Sequence, residues 1–244
     1  MQTCVDTIAD GIYRLSTFIP EVGPTGFSFN QFLIDADEPL LFHTGMHGIF
    51  PHVRDAIAGI MPLERLRWIS FAHVEADECG SMNELLEAAP HAQVLHGVIG
   101  CLVSVNDMAA RPPRALAPGE VVELGQGKRV VEIATPHVPH NWESHLLFEE
   151  STRTLFCGDL LTQLGDPPAL VSEDILEAAI EAEVVFGQTS IGPKVPATLR
   201  ELAQLRPERL AIMHGSSYVG DCAALLSAMA DVYETKFGCA GLVA

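Results

Sequence analysis

Four apolar, β-leaning runs in this chain end abruptly in a histidine or an aspartate, and that recurrence narrows the folds open to it. Leu66-Arg-Trp-Ile-Ser-Phe-Ala72 runs into His73, and Val130-Val-Glu-Ile-Ala134 into Thr135-Pro-His-Val-Pro-His140. Thr154-Leu-Phe-Cys157 runs into Gly158-Asp159, and Arg209-Leu-Ala-Ile-Met213 into His214. Short apolar runs of this kind read as buried strands, and α/β sheets place their ligands at the carboxyl ends of strands. A single such ending is ordinarily a turn residue or a cap. Four in one chain point to one shared site.

The densest of these endings is His73-Val-Glu-Ala-Asp-Glu78. His73, Glu75 and Asp77 alternate, and in an extended segment alternating side chains face the same way. Three donors on one side of a short loop can converge on a metal. By itself the segment also fits a solvated acidic loop before a helix, where Asp77 or Glu78 would favour the dipole. The three later endings favour the metal.

The order of these residues resembles the metallo-β-lactamase superfamily, and within it the flavodiiron proteins and their oxygen-binding di-iron relatives. Zinc hydrolases of that superfamily carry His-x-His-x-Asp-His. The di-iron branch carries His-x-Glu-x-Asp-His, and Glu75 stands where the hydrolases have their second His. His140-Asn-Trp-Glu-Ser144 is similar to that branch's His-Trp-x-Asp-Ser stretch, and Leu155-Phe-Cys-Gly-Asp-Leu160 to the strand delivering its bridging aspartate. The resemblance implies an α/β four-layer αββα sandwich, the metallo-β-lactamase fold, as a single domain over residues 1–244. It also implies that His73, Glu75 and His140 hold one metal, that Asp77 and His214 hold the other, and that Asp159 bridges them. The implied cofactor is a pair of iron ions, with zinc or manganese as the alternative. A donor set of three imidazoles and three carboxylates is oxygen-rich, which independently favours iron or manganese over zinc.

Two positions depart from the family pattern. Glu78 stands where the motif ends in His, and either ligates as an oxygen donor or turns away and leaves a coordination position open. His43, in Phe42-His-Thr-Gly45, replaces the aspartate of an early Asp-Thr-Gly turn, and either supports the ligand loop or is an ordinary turn residue. His137 competes with His140 for the third ligand position, and the Asn-Trp-Glu-Ser continuation favours His140. Trp142, Tyr218 and Cys79 lie near ligand loops and are expected to wall a pocket. Cys79 opens the helix after the ligand loop, where a thiol pKa can fall. His145 is expected to be structural or exposed. His47, His52, His91 and His96 carry no spacing signal and read as surface residues.

A chain of 244 residues, 48% hydrophobic, can bury a large core. With 14 basic against 32 acidic residues its net charge is −18, which argues against nucleic acid or an anionic membrane surface as partner. No run of 18 apolar residues and no basic-then-apolar amino terminus occurs, so neither a membrane span nor a signal peptide is expected. Cys4, Cys79, Cys101, Cys157, Cys222 and Cys239 form no CxxC pair and read as reduced thiols of a cytoplasmic protein. Nothing resembles a flavin-binding loop, so these residues are expected to hold no flavin.

The functional expectation is a non-heme di-iron protein that binds, senses or reduces O2 or NO, with electrons from a separate donor protein, as a homodimer. The alternative is a dinuclear metal-dependent hydrolase of an ester, thioester or lactone. Helices are expected at 51–60, 81–88, 98–107, 173–184, 196–205 and 221–237.

Overall fold

A computed structural model of the chain describes residues 2–238; Cys239 lies outside the described residues. The first sheet is built from seven strands: β1 (Thr3–Ala9), β2 (Ile12–Ile19), β3 (Phe27–Ile34), β4 (Leu40–Phe42), β5 (Trp68–Ser70), β6 (Gln93–Gly97) and β7 (Arg114–Leu116). They lie side by side in chain order. The second sheet takes β8 (Val121–Gly125), β9 (Lys128–Ala134), β10 (His145–Glu149), β11 (Thr154–Phe156), β12 (Leu170–Val171), β13 (Arg209–Ala211) and β14 (Ser217–Val219). Its order is β12-β14-β13-β11-β10-β9-β8, so β13 reaches back over a long connection to pair parallel with β11.

The two sheets pack face to face because the alternation of strand residues gives each an apolar inner face. In β3 and β4, Phe32, Ile34, Leu40 and Phe42 face the second sheet and share a cluster with Leu146 and Phe156. Phe156 packs its ring 5.7 Å from Phe32 and 5.3 Å from Phe42. Leu33 and Leu41, one residue out of phase, face the other way. There they meet Val53 and Ile57 of α1 (Phe50–Ala58) and Leu85 and Leu86 of a later helix. That helix is α3 (Met82–Ala88), which follows the short α2 (Ala76–Cys79). Next come α4 (Val98–Gly100), a π-turn over 101–105 and α5 (Asn106–Met108), where the sequence suggests one uninterrupted helix. The second sheet is covered by α6 (Leu176–Phe186), α7 (Lys194–Gln204) and α8 (Cys222–Thr235), whose Ala179, Leu199, Leu226 and Met229 join the inter-sheet cluster. The result is the expected αββα sandwich.

Helix starts differ from the sequence reading at two acidic residues. Asp221 caps α8 by accepting the Ala224 N–H at 2.9 Å, so α8 begins at Cys222. Asp174 accepts the Leu176 N–H at 2.9 Å from the turn ahead of α6, which begins three residues later than expected. No helix among the described residues is long and apolar enough to cross a membrane.

Candidate metal centre

All four chemistry-bearing endings arrive at one edge of the sandwich. His73 lies just past β5, His140 in the β9–β10 loop, Asp159 just past β11 and His214 just past β13. Gly158 lets β11 come close enough to β5 for this: its φ is 52°, and a Cβ there would sit 2.7 Å from the Ala72 Cβ. Only glycine meets both demands without strain. Gly215 does the same behind His214, with φ 101° and room for no Cβ against Gln163.

Within the cleft, His73, Glu75, His140 and Asp159 offer donor atoms that all lie within 4.8 Å of one another. His73 Nε2 is 2.7 Å from His140 Nε2, and Glu75 Oε2 is 2.9 Å from the first and 3.2 Å from the second. Asp159 turns Oδ2 toward both imidazoles, at 3.6 Å each, and Oδ1 toward His214 Nε2 at 3.2 Å. His214 Nε2 also faces Asp77 Oδ2 at 3.4 Å. Asp159 thus presents a different oxygen to each half of the site.

The tautomers are set from behind. His140 Nδ1 lies 2.9 Å from the Gln188 carbonyl, and His214 Nδ1 2.8 Å from the Ser28 carbonyl. His73 Nδ1 faces Glu78 Oε1 at 3.3 Å. A nitrogen bonded to a carbonyl oxygen keeps its proton, so His140 and His214 each turn a bare Nε2 lone pair inward, and the nearby Glu78 carboxylate favours the same tautomer of His73 by its charge. Two bare nitrogens 2.7 Å apart repel unless a cation or a proton lies between them. Asp159 Oδ1, buried and without a hydrogen-bond donor, makes the same demand. The residues present therefore fit a bound metal.

Without metal, protons take that place. Burial works against the His73 and His214 cations, yet the surrounding carboxylates outweigh it and hold both near a pKa of about 10. Hydrogen bonds from His140 and His73 pull Glu75 down to about 2. The Asp159 carboxyl, though buried, is held below the usual carboxylate range by His214 and the other imidazoles.

Glu78 does not face the cluster. It is fully buried behind His73, with Oε2 accepting the His73 backbone N–H at 2.6 Å and Oε1 lying 3.3 Å from His43 Nε2. His43 takes part through this contact, held in its left-handed turn (φ 67°) by its N–H to the Ser70 carbonyl. His137 is exposed and lies apart from the donor quartet.

The cleft encloses about 170 Å³ between Phe27, Phe186, Gln188 and the five groups Glu75, Asp77, His140, Asp159 and His214. Phe27 stacks on His214 with ring centroids 4.2 Å apart. Gln188 joins the site twice: its carbonyl orients His140, and its side-chain amide donates to the Asp159 carbonyl at 3.1 Å. Phe27 and Gln188 carry no local sequence signal; only the fold brings them in. Trp142, Tyr218 and Cys79 do not line this cleft. Trp142 is 55% exposed at a neighbouring cavity, and Tyr218 is buried in β14 beside a different surface hollow. Cys79 borders a groove on the outer side of the ligand loop. Burial, reinforced by Glu78, pushes its thiol up to about 12, the reverse of an activated cysteine.

Several known proteins share this arrangement of elements. The rubredoxin-oxygen oxidoreductase of Megalodesulfovibrio gigas is 21% identical over 207 residues, covering 82% of this chain and 51% of that protein. Diflavin flavoprotein A 1 of Synechocystis sp. PCC 6803 is 23% identical over 182 residues, covering 74% and 31%. The chain thus spans a third to a half of the length of these curated relatives. Among solved structures, a point mutant of the flavo di-iron protein of Thermotoga maritima superposes with a TM-score of 0.84 at 20% identity, covering 95% of this chain and 61% of that one. The family model for ODP-family beta lactamases matches residues 27–215. The chain therefore belongs to the ODP family of beta-lactamase folds.

Proposed function

We propose that this chain holds two iron ions and binds, senses or reduces a small diatomic, O2 or NO. The observation that carries the reading is the pair of inward-facing Nε2 atoms of His73 and His140, 2.7 Å apart and bracketed by Glu75 and Asp159. In this reading His73, Glu75 and His140 hold one ion, Asp77 and His214 the other, and Asp159 both. Two ferrous ions held this way would supply one electron each to a gas.

The chain's own residues do the rest. Carbonyls of Gln188 and Ser28 fix the imidazole tautomers, so no proton competes for Nε2 once metal is bound. Phe27 and Phe186 present apolar faces to the cleft, which suits an uncharged diatomic and disfavours a charged substrate. A cleft of about 170 Å³ has room for a gas molecule and a few waters. The second half has three protein groups where the first has four, which leaves it the more open to an incoming ligand. With two electrons stored per pair, sustained reduction requires a donor, assigned here to a separate protein. The fold is read as one domain that pairs with a second copy.

Metal analysis and absorption spectra of protein purified without added metal test this. About two irons per chain, and a single spectral change when the anaerobically reduced protein meets an O2 pulse, are expected. Two zincs with esterase activity would replace this reading by the hydrolase. Sustained O2 consumption with NADH and no added reductase would remove the separate donor.

A further inference from the structure

Where β6, β9 and β10 meet, away from the metal cleft, a cavity of about 210 Å³ opens to the surface. Its walls are apolar, with Val98, Leu116, Pro118 and Pro136 among them and Trp142 at the mouth. Two buried polar side chains complete it: Glu132, 2% exposed, and His145, 1% exposed. The sequence alone gave neither a role.

His145 Nε2 lies 2.9 Å from the Phe71 carbonyl, so Nε2 carries the ring proton and Nδ1 is a bare acceptor. That Nδ1 is buried and has no hydrogen-bond partner. Glu132 Oε1 stands 3.7 Å from it, too far for a hydrogen bond but near enough for both to reach one guest atom. The other oxygen, Oε2, takes the Gly119 N–H at 3.3 Å. Gly97 keeps Oε1 accessible, since a Cβ there would come within 3.3 Å of it.

Glu143 Oε1 accepts the Val74 N–H at 3.1 Å, and the Ser144 hydroxyl donates to the Val138 carbonyl at 2.9 Å. No lysine or arginine lines the cavity. Burial holds the His145 imidazole down to about 4, so it stays neutral, and raises Glu132 to about 7. The cavity thus sets two acceptors side by side, His145 Nδ1 and Glu132 Oε1, near the Trp142 indole, and a bound cation would draw Glu132 to its ionised form.

We propose that this cavity binds a small primary amine in its ammonium form. One N–H goes to His145 Nδ1 and another to Glu132 Oε1, and an apolar or aromatic body lies between Leu116, Pro118, Pro136 and Trp142. An ammonium has three donors and no acceptor, matching a site of acceptors alone. The indole face adds attraction for a cation, and the net charge of −18 draws cations generally. An alcohol of the same shape can satisfy one acceptor and brings no charge to hold Glu132 ionised.

Calorimetric titration of the purified protein with benzylamine tests this, with benzyl alcohol as the uncharged comparison. Saturable amine binding is expected, with the alcohol weaker by about tenfold or more, the equivalent of one charge-assisted hydrogen bond. Glu132→Gln should weaken the amine by a similar factor. Ala134→Phe, at the rim opposite His145 in the β9–β10 ladder, should block the cavity with Glu132 and His145 intact. Equal affinity for amine and alcohol, unchanged amine binding in both variants, or no saturable binding would overturn the proposal. Because neither buried group belongs to the metal cluster, iron content should stay at the wild-type level in both variants, which separates this outcome from the fate of the di-iron reading.

Discussion

Gly158→Ala puts the geometry of the metal cleft to its sharpest test. Two costs arise at this position. The backbone at φ 52° is left-handed, a conformation that costs a residue with a Cβ about 1–2 kcal/mol. The new methyl would also lie 2.7 Å from the Ala72 Cβ, whereas carbon atoms rest at about 3.5–4.0 Å. The ends of β5 and β11 must therefore part by roughly an ångström, an overpacking cost of about 1–3 kcal/mol. Together the loss is about 2–5 kcal/mol, and Asp159 moves away from His73. Gly127→Ala is the control, since Gly127 has φ 76° but no atom within 4 Å of the position a Cβ would take. It should lose only the backbone part, about 1–2 kcal/mol, and keep its metal. Adding Ala72→Gly to Gly158→Ala removes the opposing methyl and should restore about 1 kcal/mol or more beyond additivity, as contacting pairs do. Urea midpoints and metal content per chain measure both effects. If Gly158→Ala matches Gly127→Ala in stability and metal content, or if the cycle shows no coupling, close approach at Gly158 does not build the site.

Other perturbations probe the ligands directly. Asp159→Ala should lose metal from both halves, whereas Asp77→Ala should lose about one ion, because only Asp159 turns an oxygen to each side; equal losses by elemental analysis would contradict the bridge. His140→Ala should deplete metal and His137→Ala should leave it near wild type, and the reverse would mean that the loop after β9 is misassigned. Metal loading at neutral pH should expel protons, read by calorimetry in buffers of different ionisation enthalpy, because His73 and His214 hold theirs to about 10 without metal. The raised values stabilise the metal-free fold fully below about 6.5, and that support drains away as pH climbs toward 10. The denaturation midpoint of metal-stripped protein should fall across that window.

Much of the fold, and the meeting of the candidate donors, was legible because the strands are short apolar runs and each donor follows its strand by only a few residues. An abrupt change from Ile and Phe to His or Asp leaves a mark that needs no tertiary information. Elements set by longer contacts left no such mark. His96 reads as a surface residue, yet the pleat of β6 turns it inward to pack 4.1 Å from the His145 ring, with burial holding its pKa well down. His145, with equally little signal, is buried and tied to the Phe71 carbonyl. Phe27 and Gln188 come from segments 161 residues apart in sequence, joined at the cleft only once both sheets have formed. Trp142 shows the opposite failure: adjacency to His140 in sequence did not carry its side chain into the same cleft.

Glu78 shows how the site's charge is arranged. Sequence left two fates for it, ligation or an outward turn, and the fold uses a third: it closes over the back of His73, where it meets His43. Glu75, Asp77 and Asp159 then face the cleft while Glu78 lies behind it, with no lysine or arginine among the cleft's lining residues. Asp159 and Glu78 are buried, and buried carboxylates are costly unless cations answer them. In the metal-free chain the answer is a set of imidazolium protons, which is why His73 and His214 hold on to theirs far above the ordinary range. Those protons sit on the same Nε2 atoms that the carbonyls of Ser28 and Gln188, and the carboxylate of Glu78, free for coordination from behind. Exchanging those protons for metal would answer the same carboxylates with more positive charge and relieve the facing lone pairs at once. An anion-binding role for this edge would need the opposite balance of charge.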